Sequence, residues 1–179
     1  MSSKSDAPAG IERALAETSI RRLVHAYADA FLTKDAEQLV SLWADDVPPA
    51  TPPDFDVAWA RAVPERWAHY GTTMLHVTTH WFDFDDGEHA HGRVQCIVQM
   101  DRPEGFIDQS VLYEDAYVLR GDQWLFAQRS HRLWFGVVRP EHPADQDPST
   151  WPRSQLGAGT LPDDVRRLSE ASLQRRRGQ

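Results

Sequence analysis

From residue 72 to residue 138 the chain runs TTMLHVTTHWFDFDDGEHAHGRVQCIVQMDRPEGFIDQSVLYEDAYVLRGDQWLFAQRSHRLWFGVV, rich in Val, Thr, Phe, Trp and Tyr. Two turn signals punctuate it. Asp86-Gly87 separates TMLHVTTHWFDF from EHAHGRVQCIVQM, and Gly121-Asp122 separates SVLYEDAYVLR from QWLFAQRSHRLWFGVV. Gly and Asp tolerate the positive φ that tight hairpin turns require, so this spacing predicts four long strands in two antiparallel hairpins.

Upstream the apolar period changes to that of a helix. Leu15, Ile20, Leu23, Val24, Tyr27, Ala30 and Phe31 fall on one face between Ile11 and Phe31. Asp35 with Gln38 three residues later forms a capping-box variant that opens a short second helix, AEQLVSLW, ending at Trp43. The segment ADDVPPATPPDFD carries four Pro and reads as a loop. Val57, Trp59, Ala60, Val63, Trp67 and Tyr70 then predict a third helix, interrupted or restarted near Pro64. Past Arg139 comes a Pro-rich loop, EHPADQDPSTWPRSQLGAG, with a last helix expected from about Asp163 to Gln174. The expected division is a disordered N-terminus over 1–10, an α+β body over 11–138, and a C-terminal loop and helix extension over 139–179. In that body a bent antiparallel sheet wraps around the N-terminal helices.

Composition narrows the function. The chain has 179 residues and a net charge of −8, with 19 basic and 27 acidic side chains. An acidic chain does not neutralise a phosphate backbone, so nucleic acid is not expected as a partner. The basic cluster at 161–179 reads as a solvated helix face. No apolar run approaches the length of a membrane span and the N-terminus MSSKSDAPAG has no apolar signal core, so the expected location is cytoplasmic, with no membrane partner. The single cysteine, Cys96, excludes an internal disulfide and sits in VQCIVQM as a buried strand thiol. Eight histidines invite a metal reading that spacing opposes. His76 and His80 stand roughly 13 Å apart along a strand, too far to share one zinc, and His89 and His91 belong to an exposed hairpin. No metal and no cofactor are expected.

The order of helix, short helix, acidic DD, helix and four long strands resembles the SnoaL-like branch of the nuclear transport factor 2-like superfamily. The resemblance is carried by IRRLVHAYADAFLTKDAEQLVSLWADD, MLHVTTHWFDFDDGEHAHGRV and YEDAYVLRGDQWLFAQR, and covers about residues 18–138. It implies a cone-shaped α+β barrel with a deep apolar pocket, assembled as a homodimer or homotrimer. It also implies cofactor-free acid–base chemistry of the kind carried out by scytalone dehydratase, bile acid 7α-dehydratase and hexachlorocyclohexane dehydrochlorinase. The family pairs an Asp near the end of the first helix with a His at the start of the first long strand. His76 in MLHVTTH takes the histidine position. The pattern Y-x-x-x-L-D-x-x-D reads here from Tyr27 through Phe31 and Leu32 to Asp35, so Leu32 stands where the carboxylate would be. Asp29 and His25 fall on the solvated side of the helix.

A two-residue turn at Asp86-Gly87 sets His76 opposite Ile97, Thr78 opposite Gln95 and His80 opposite Arg93. One face is then polar, with His76 and Thr78 deepest in the pocket. The other carries Leu75, Val77, Val94, Cys96 and Val98 as an apolar outer face suited to a subunit interface. His80 reads either as a site residue or as a solvated rim histidine. In the second hairpin, Tyr113 opposes Ser130, Glu114 opposes Arg129 and Asp115 opposes Gln128. Tyr113, Asp115 and Arg129 match site positions of the family, but only a bulge would bring all three to one face. The alternative for Arg129 is a cross-strand ion pair with Glu114. His131 is a further pocket candidate.

The expected function is a cofactor-independent lyase or isomerase acting on a hydrophobic, aromatic or polycyclic oxygenated small molecule. His76 would shuttle the proton and Tyr27 would bind or protonate a substrate oxygen. Phe31, Leu32, Trp59, Trp67, Tyr113, Asp115, Arg129, His131 and Trp134 are the expected substrate-binding residues, with Tyr70 and Phe135 as further aromatic walls. Two other readings stay open: a non-catalytic small-molecule-binding protein of the same fold, and the small subunit of a ring-hydroxylating dioxygenase.

Overall fold

The computed structural model describes residues 6–51, 54–67, 69–150 and 152–159. The helices are α1 (Gly10–Thr33), α2 (Ala36–Ser41) and α3 (Val57–Trp67). They precede β1 (Thr73–Phe84), β2 (His89–Arg102), β3 (Gly105–Arg120) and β4 (Gln123–Val138), which form one antiparallel sheet in the order β1-β2-β3-β4. The sequence reading of α+β holds, with one addition: a two-residue turn at Pro103-Glu104 makes β2 and β3 a third hairpin. Gly105, at φ +136, supplies the backbone that this turn needs. The helix expected over Asp163–Gln174 and the first five residues of the N-terminus lie outside the described residues.

α1 packs against both edge strands, β1 and β4. Those edges would be about 14 Å apart in a flat sheet, so the contact of one helix with both requires a curled sheet. Ile20, Leu23, Val24, Tyr27 and Ala30 are the buried face of α1, as the period predicted. Leu15 departs from that stripe and is exposed, Ala16 taking the inward place. Asp35 caps α2 by accepting from the Gln38 amide at 2.9 Å. Asp56 opens α3, its carboxylate accepting from the amides of Ala58 and Trp59 at 2.8 and 3.1 Å. Burial would raise the Asp56 carboxyl, but the amides of Ala50, Trp59 and Ala58 outweigh it and hold it below the ordinary carboxylate range. α3 runs through Pro64 without a break. Lys34 meets the last carbonyl of α3 and one just beyond it, its Nζ donating to Trp67 O at 3.3 Å and to Tyr70 O at 2.6 Å. Lys34 itself ends α1 in the left-handed region at φ 56.

Two one-residue bulges set which side chains enter the cone. In β1, Val77 pairs with Cys96 and Thr79 with Gln95, so Thr78 is the extra residue. In β4, Tyr117 pairs with Phe126 and Ala116 with Gln128, so Ala127 is extra. Each bulge reverses the in-out alternation beyond it. A further irregularity, between Ser110 and Val111, leaves Trp134 unpaired. The face holding Val94, Cys96 and Val98 is the core, not the outer apolar surface expected from the sequence. His76 is therefore on the outside.

Candidate active site

The inner face of β3 and β4 carries a buried polar cluster behind a cavity, and the Ala127 bulge creates it. With the register shifted, Asp115 opposes Arg129 and Tyr113 opposes His131. The pairings expected without a bulge, Glu114 with Arg129 and Asp115 with Gln128, do not occur. Glu114 pairs instead with Arg132 on the exposed face.

Arg129 is 1% exposed and meets Asp115 in two parallel bonds, Nε to Oδ1 at 2.6 Å and Nη2 to Oδ2 at 2.7 Å. Its guanidinium carbon lies 4.2–4.3 Å from the ring centres of Tyr27, Tyr113 and Phe126. Burial alone would lower the Arg129 pKa, but the Asp115 charge beside it prevails and raises it. The pair is ionic and buried, the two side chains being 1% and 0% exposed.

The cluster continues through Tyr117, whose hydroxyl donates to Asp115 Oδ2 at 2.7 Å. His80 Nε2 lies 3.1 Å from the same hydroxyl. Since the one Tyr117 proton goes to the carboxylate, the hydroxyl accepts from His80, which fixes the imidazole as the neutral Nε2–H tautomer. Burial pushes the His80 pKa down to about 4, with Asp115 opposing and Arg129, Arg21 and His25 adding to the fall. The Thr78 bulge places His80 inward: before it the even-numbered residues of β1 face out, after it they face in.

Toward the open end lies a cavity of about 290 Å³. Its walls are Phe31, Phe55, Trp59, Leu75, Val98 and Met100, and its polar lining includes Tyr27, Tyr113 and His131 on one side. Phe55 is held over it because the loop before α3 pairs with β4, Phe55 N donating to Arg129 O at 2.7 Å and Arg129 N to Phe55 O at 3.0 Å. Phe55 and Trp59 stack with ring centres 4.1 Å apart. The His131 ring centre is 5.4 Å from that of Tyr113. Burial lowers the His131 pKa, helped by Arg129 and opposed by a backbone hydrogen bond. The Tyr27 hydroxyl is pushed up to about 12 by burial, although the Arg129 charge beside it pulls the other way. Burial likewise raises Tyr113 well above the ordinary range. At neutral pH the cavity thus presents an uncharged imidazole and two protonated phenols.

Of the residues expected from the sequence, Tyr27, Phe31, Trp59, Tyr70, Tyr113 and His131 line this cavity. Asp115 and Arg129 share the inner face but lie behind the cavity wall. Trp67 is core, its ring centre 5.8 Å from Phe31, and Leu32 is half-buried outside the lining. Two placements are corrected. Trp134 and Phe135, expected as walls, are 59% and 58% exposed, in a strand end where every residue from Arg132 to Val138 is exposed on both faces. His76, expected deepest in the pocket, lies on the outer face with Nε2 3.2 Å from Gln99 Oε1. The inward histidine of β1 is His80. Asp29 and His25 are exposed, as expected. His89 and His91 bond to Asp86 and Asp85 at 2.9 and 2.8 Å, and no group of three metal-binding side chains occurs among the described residues. Phe55, Met100, Arg66, Arg102 and Gln109 are lining residues that sequence reasoning missed. The Pro103-Glu104-Gly105 turn was the signal for the strand ends carrying Met100, Arg102 and Gln109, while nothing local marked Phe55.

Cys96 is buried under the same cluster, its thiol pushed up to about 11 by burial, consistent with an inert packed side chain. No helix among the described residues is long and apolar enough to cross a membrane.

The hexachlorocyclohexane dehydrochlorinase LinA, type 2, shares this fold with a TM-score of 0.67 at 16% sequence identity, over 74% of this chain and 95% of that one. A scytalone dehydratase-like protein from Novosphingobium aromaticivorans gives a TM-score of 0.63 at 19% identity, over 75% and 97%. A Mycobacterium tuberculosis protein of unknown function gives 0.57 at 18%, over 92% and 96%. No curated protein sequence matches the chain. A model of the SnoaL-like domain matches residues 12–130, which spans the helices, the inner cluster and most of the cavity, and the chain therefore belongs to the SnoaL-like domain family.

Proposed function

We propose that the protein is a cofactor-independent lyase or isomerase that carries out an elimination or related acid–base reaction on a hydrophobic, aromatic or polycyclic oxygenated small molecule. The observation that carries this reading is the meeting of Tyr27, Tyr113 and His131 on one wall of an otherwise apolar cavity. His131, neutral through burial, takes the proton from a carbon beside a carbonyl. The electron pair left behind forms the new double bond as the carbon–oxygen bond breaks. Tyr27 gives its proton to the departing oxygen, so water leaves, and the proton held on His131 restores the phenol. Arg129, fixed by Asp115 and lying 4.3 Å from the Tyr27 ring centre, stabilises the phenolate in the interval by its charge. The apolar walls keep water from competing for these protons. The names of LinA and of the scytalone dehydratase-like protein, a dehydrochlorinase and a dehydratase, support elimination as the reaction class.

The test is turnover of β-hydroxy ketones fused to an aromatic ring, followed by the absorbance of the conjugated product. Catalysis by the native protein and its loss in His131→Gln is the expected result. Turnover unaffected by His131→Gln would overturn the assignment of the base. Tight binding of the panel with no turnover would select the non-catalytic binding protein instead.

The proposal includes self-association. β4 is an edge strand whose last residues leave Leu133, Trp134, Phe135, Val137 and Val138 exposed, a combination that aggregates unless covered. Sedimentation velocity should show a dimer or trimer, and a monomer at micromolar concentration would remove this part.

A further inference from the structure

The cavity has a second polar end. β3 runs along it, with Tyr113 near the acid–base wall and Gln109 four residues earlier, roughly 13 Å away along the strand. Beyond Gln109, toward the β2–β3 turn, the lining continues with Thr73 from β1 and Arg102 from the end of β2, and it includes Arg66 from α3 and Tyr70. Every polar side chain at this end brings a donor, and among the described residues no Asp or Glu lines the cavity. In a chain of net charge −8 this is a local reversal of sign. Arg102 is held in place, its guanidinium carbon 4.2 Å from the Tyr70 ring centre and its Nε 3.7 Å from the outward Glu104. Its side chain retains 31% exposure, so the guanidinium is neither sealed in the core nor fully hydrated. A planar cation beside apolar walls attracts an anion more strongly than one in open water, and a carboxylate matches its fork of donors.

We infer that the cavity takes an elongated apolar molecule bearing a carboxylate, seated with the carboxylate at Arg66 and Arg102 and the oxygenated carbon at Tyr27, Tyr113 and His131. This rests on the cavity being the substrate site, as proposed above, and specifies the substrate class and its direction. The anion fixes the register along the groove, and the rigid aromatic wall of Phe55 and Trp59 fixes the plane.

The experiment is calorimetric titration of the full chain with para-phenylbenzoate and with its methyl ester at mildly alkaline pH. The acid is expected to bind at least about tenfold more tightly than the ester, the difference a charge-assisted bond makes. In an Arg66→Gln, Arg102→Gln double variant the preference should shrink to less than about threefold, with the ester's affinity unchanged. Equal binding of acid and ester by the native protein overturns the anion site and leaves the apolar cavity as a binding site. A preference that survives in the double variant overturns the assignment to these two arginines. Failure of both compounds to bind at millimolar concentration overturns this inference together with the function it rests on.

Discussion

The closed and open ends of the inner sheet face are built from the same residue types and do different things. At the closed end Asp115, Arg129, Tyr117 and His80 satisfy one another, and aromatic rings fill the remaining space. At the open end Tyr27, Tyr113 and His131 face a cavity. Both ends hold groups whose ionisation is displaced by burial, and His80, driven to about 4, is at the closed one. Perturbed ionisation therefore does not by itself mark chemistry here. What distinguishes the reactive end is room for a reactant beside the shifted groups.

That contrast breaks most visibly at Arg129. Arg129→Met leaves the Asp115 carboxylate buried without its partner and should cost about 3–5 kcal/mol in urea unfolding. A loss below about 1 kcal/mol would mean that the closed end does not hold the fold together. At the open end, His131→Gln should lower turnover by about a hundredfold to a thousandfold while shifting stability by less than about 1 kcal/mol. The reverse pattern, a protein that unfolds but turns over normally when folded, would merge the two ends.

A finer separation comes from pH. His80 takes up its proton near 4 in the folded protein and near its ordinary 6.5 when unfolded. Between those values the unfolded chain binds more protons, so stability is full above 6.5 and declines as pH falls toward 4. The ring is only partly buried, which limits the effect to about 1–2 kcal/mol. Subtracting the profile of His80→Gln from that of the native protein isolates it, and identical profiles would remove His80 from the closed cluster. The smallest effect is expected at His76, outside both ends. His76→Ala should change stability by less than about 0.5 kcal/mol and leave turnover intact, and a large loss of turnover would return this residue to the site.

Much of the fold was legible because its signals are local. The helical period of α1, the Asp35 cap, the Asp-Gly and Gly-Asp turns and the length of the strands all sit within a few residues of what they specify. The site was legible in part. Tyr27 and Phe31 follow from the helix stripe, and Tyr113 and His131 emerge as candidates. The orientation of β1 was not legible, because VTTH reads equally well as unbroken alternation. Only packing against the core shows that Thr78 is extra and that His80, rather than His76, turns inward. The same holds at Ala127: the sequence could state that a bulge was needed to unite Tyr113, Asp115 and Arg129, and could not state that it exists. Phe55 escaped notice for another reason. A Pro-rich loop carries no period, and the two hydrogen bonds that pin it to Arg129 join residues far apart in the chain.

The extra residues Thr78 and Ala127 also bear on how such a cavity changes through descent. Loss of a single codon at either place would turn a whole strand segment over, exchanging the side chains that face a ligand for those that face solvent, with the hairpin and its turn left in place. A lineage could thus acquire a new set of reactive groups in one step and keep its architecture. Relatives that differ by one such deletion would place chemically equivalent histidines at non-equivalent columns of an alignment, and motifs shared across β1 would then name the wrong residue.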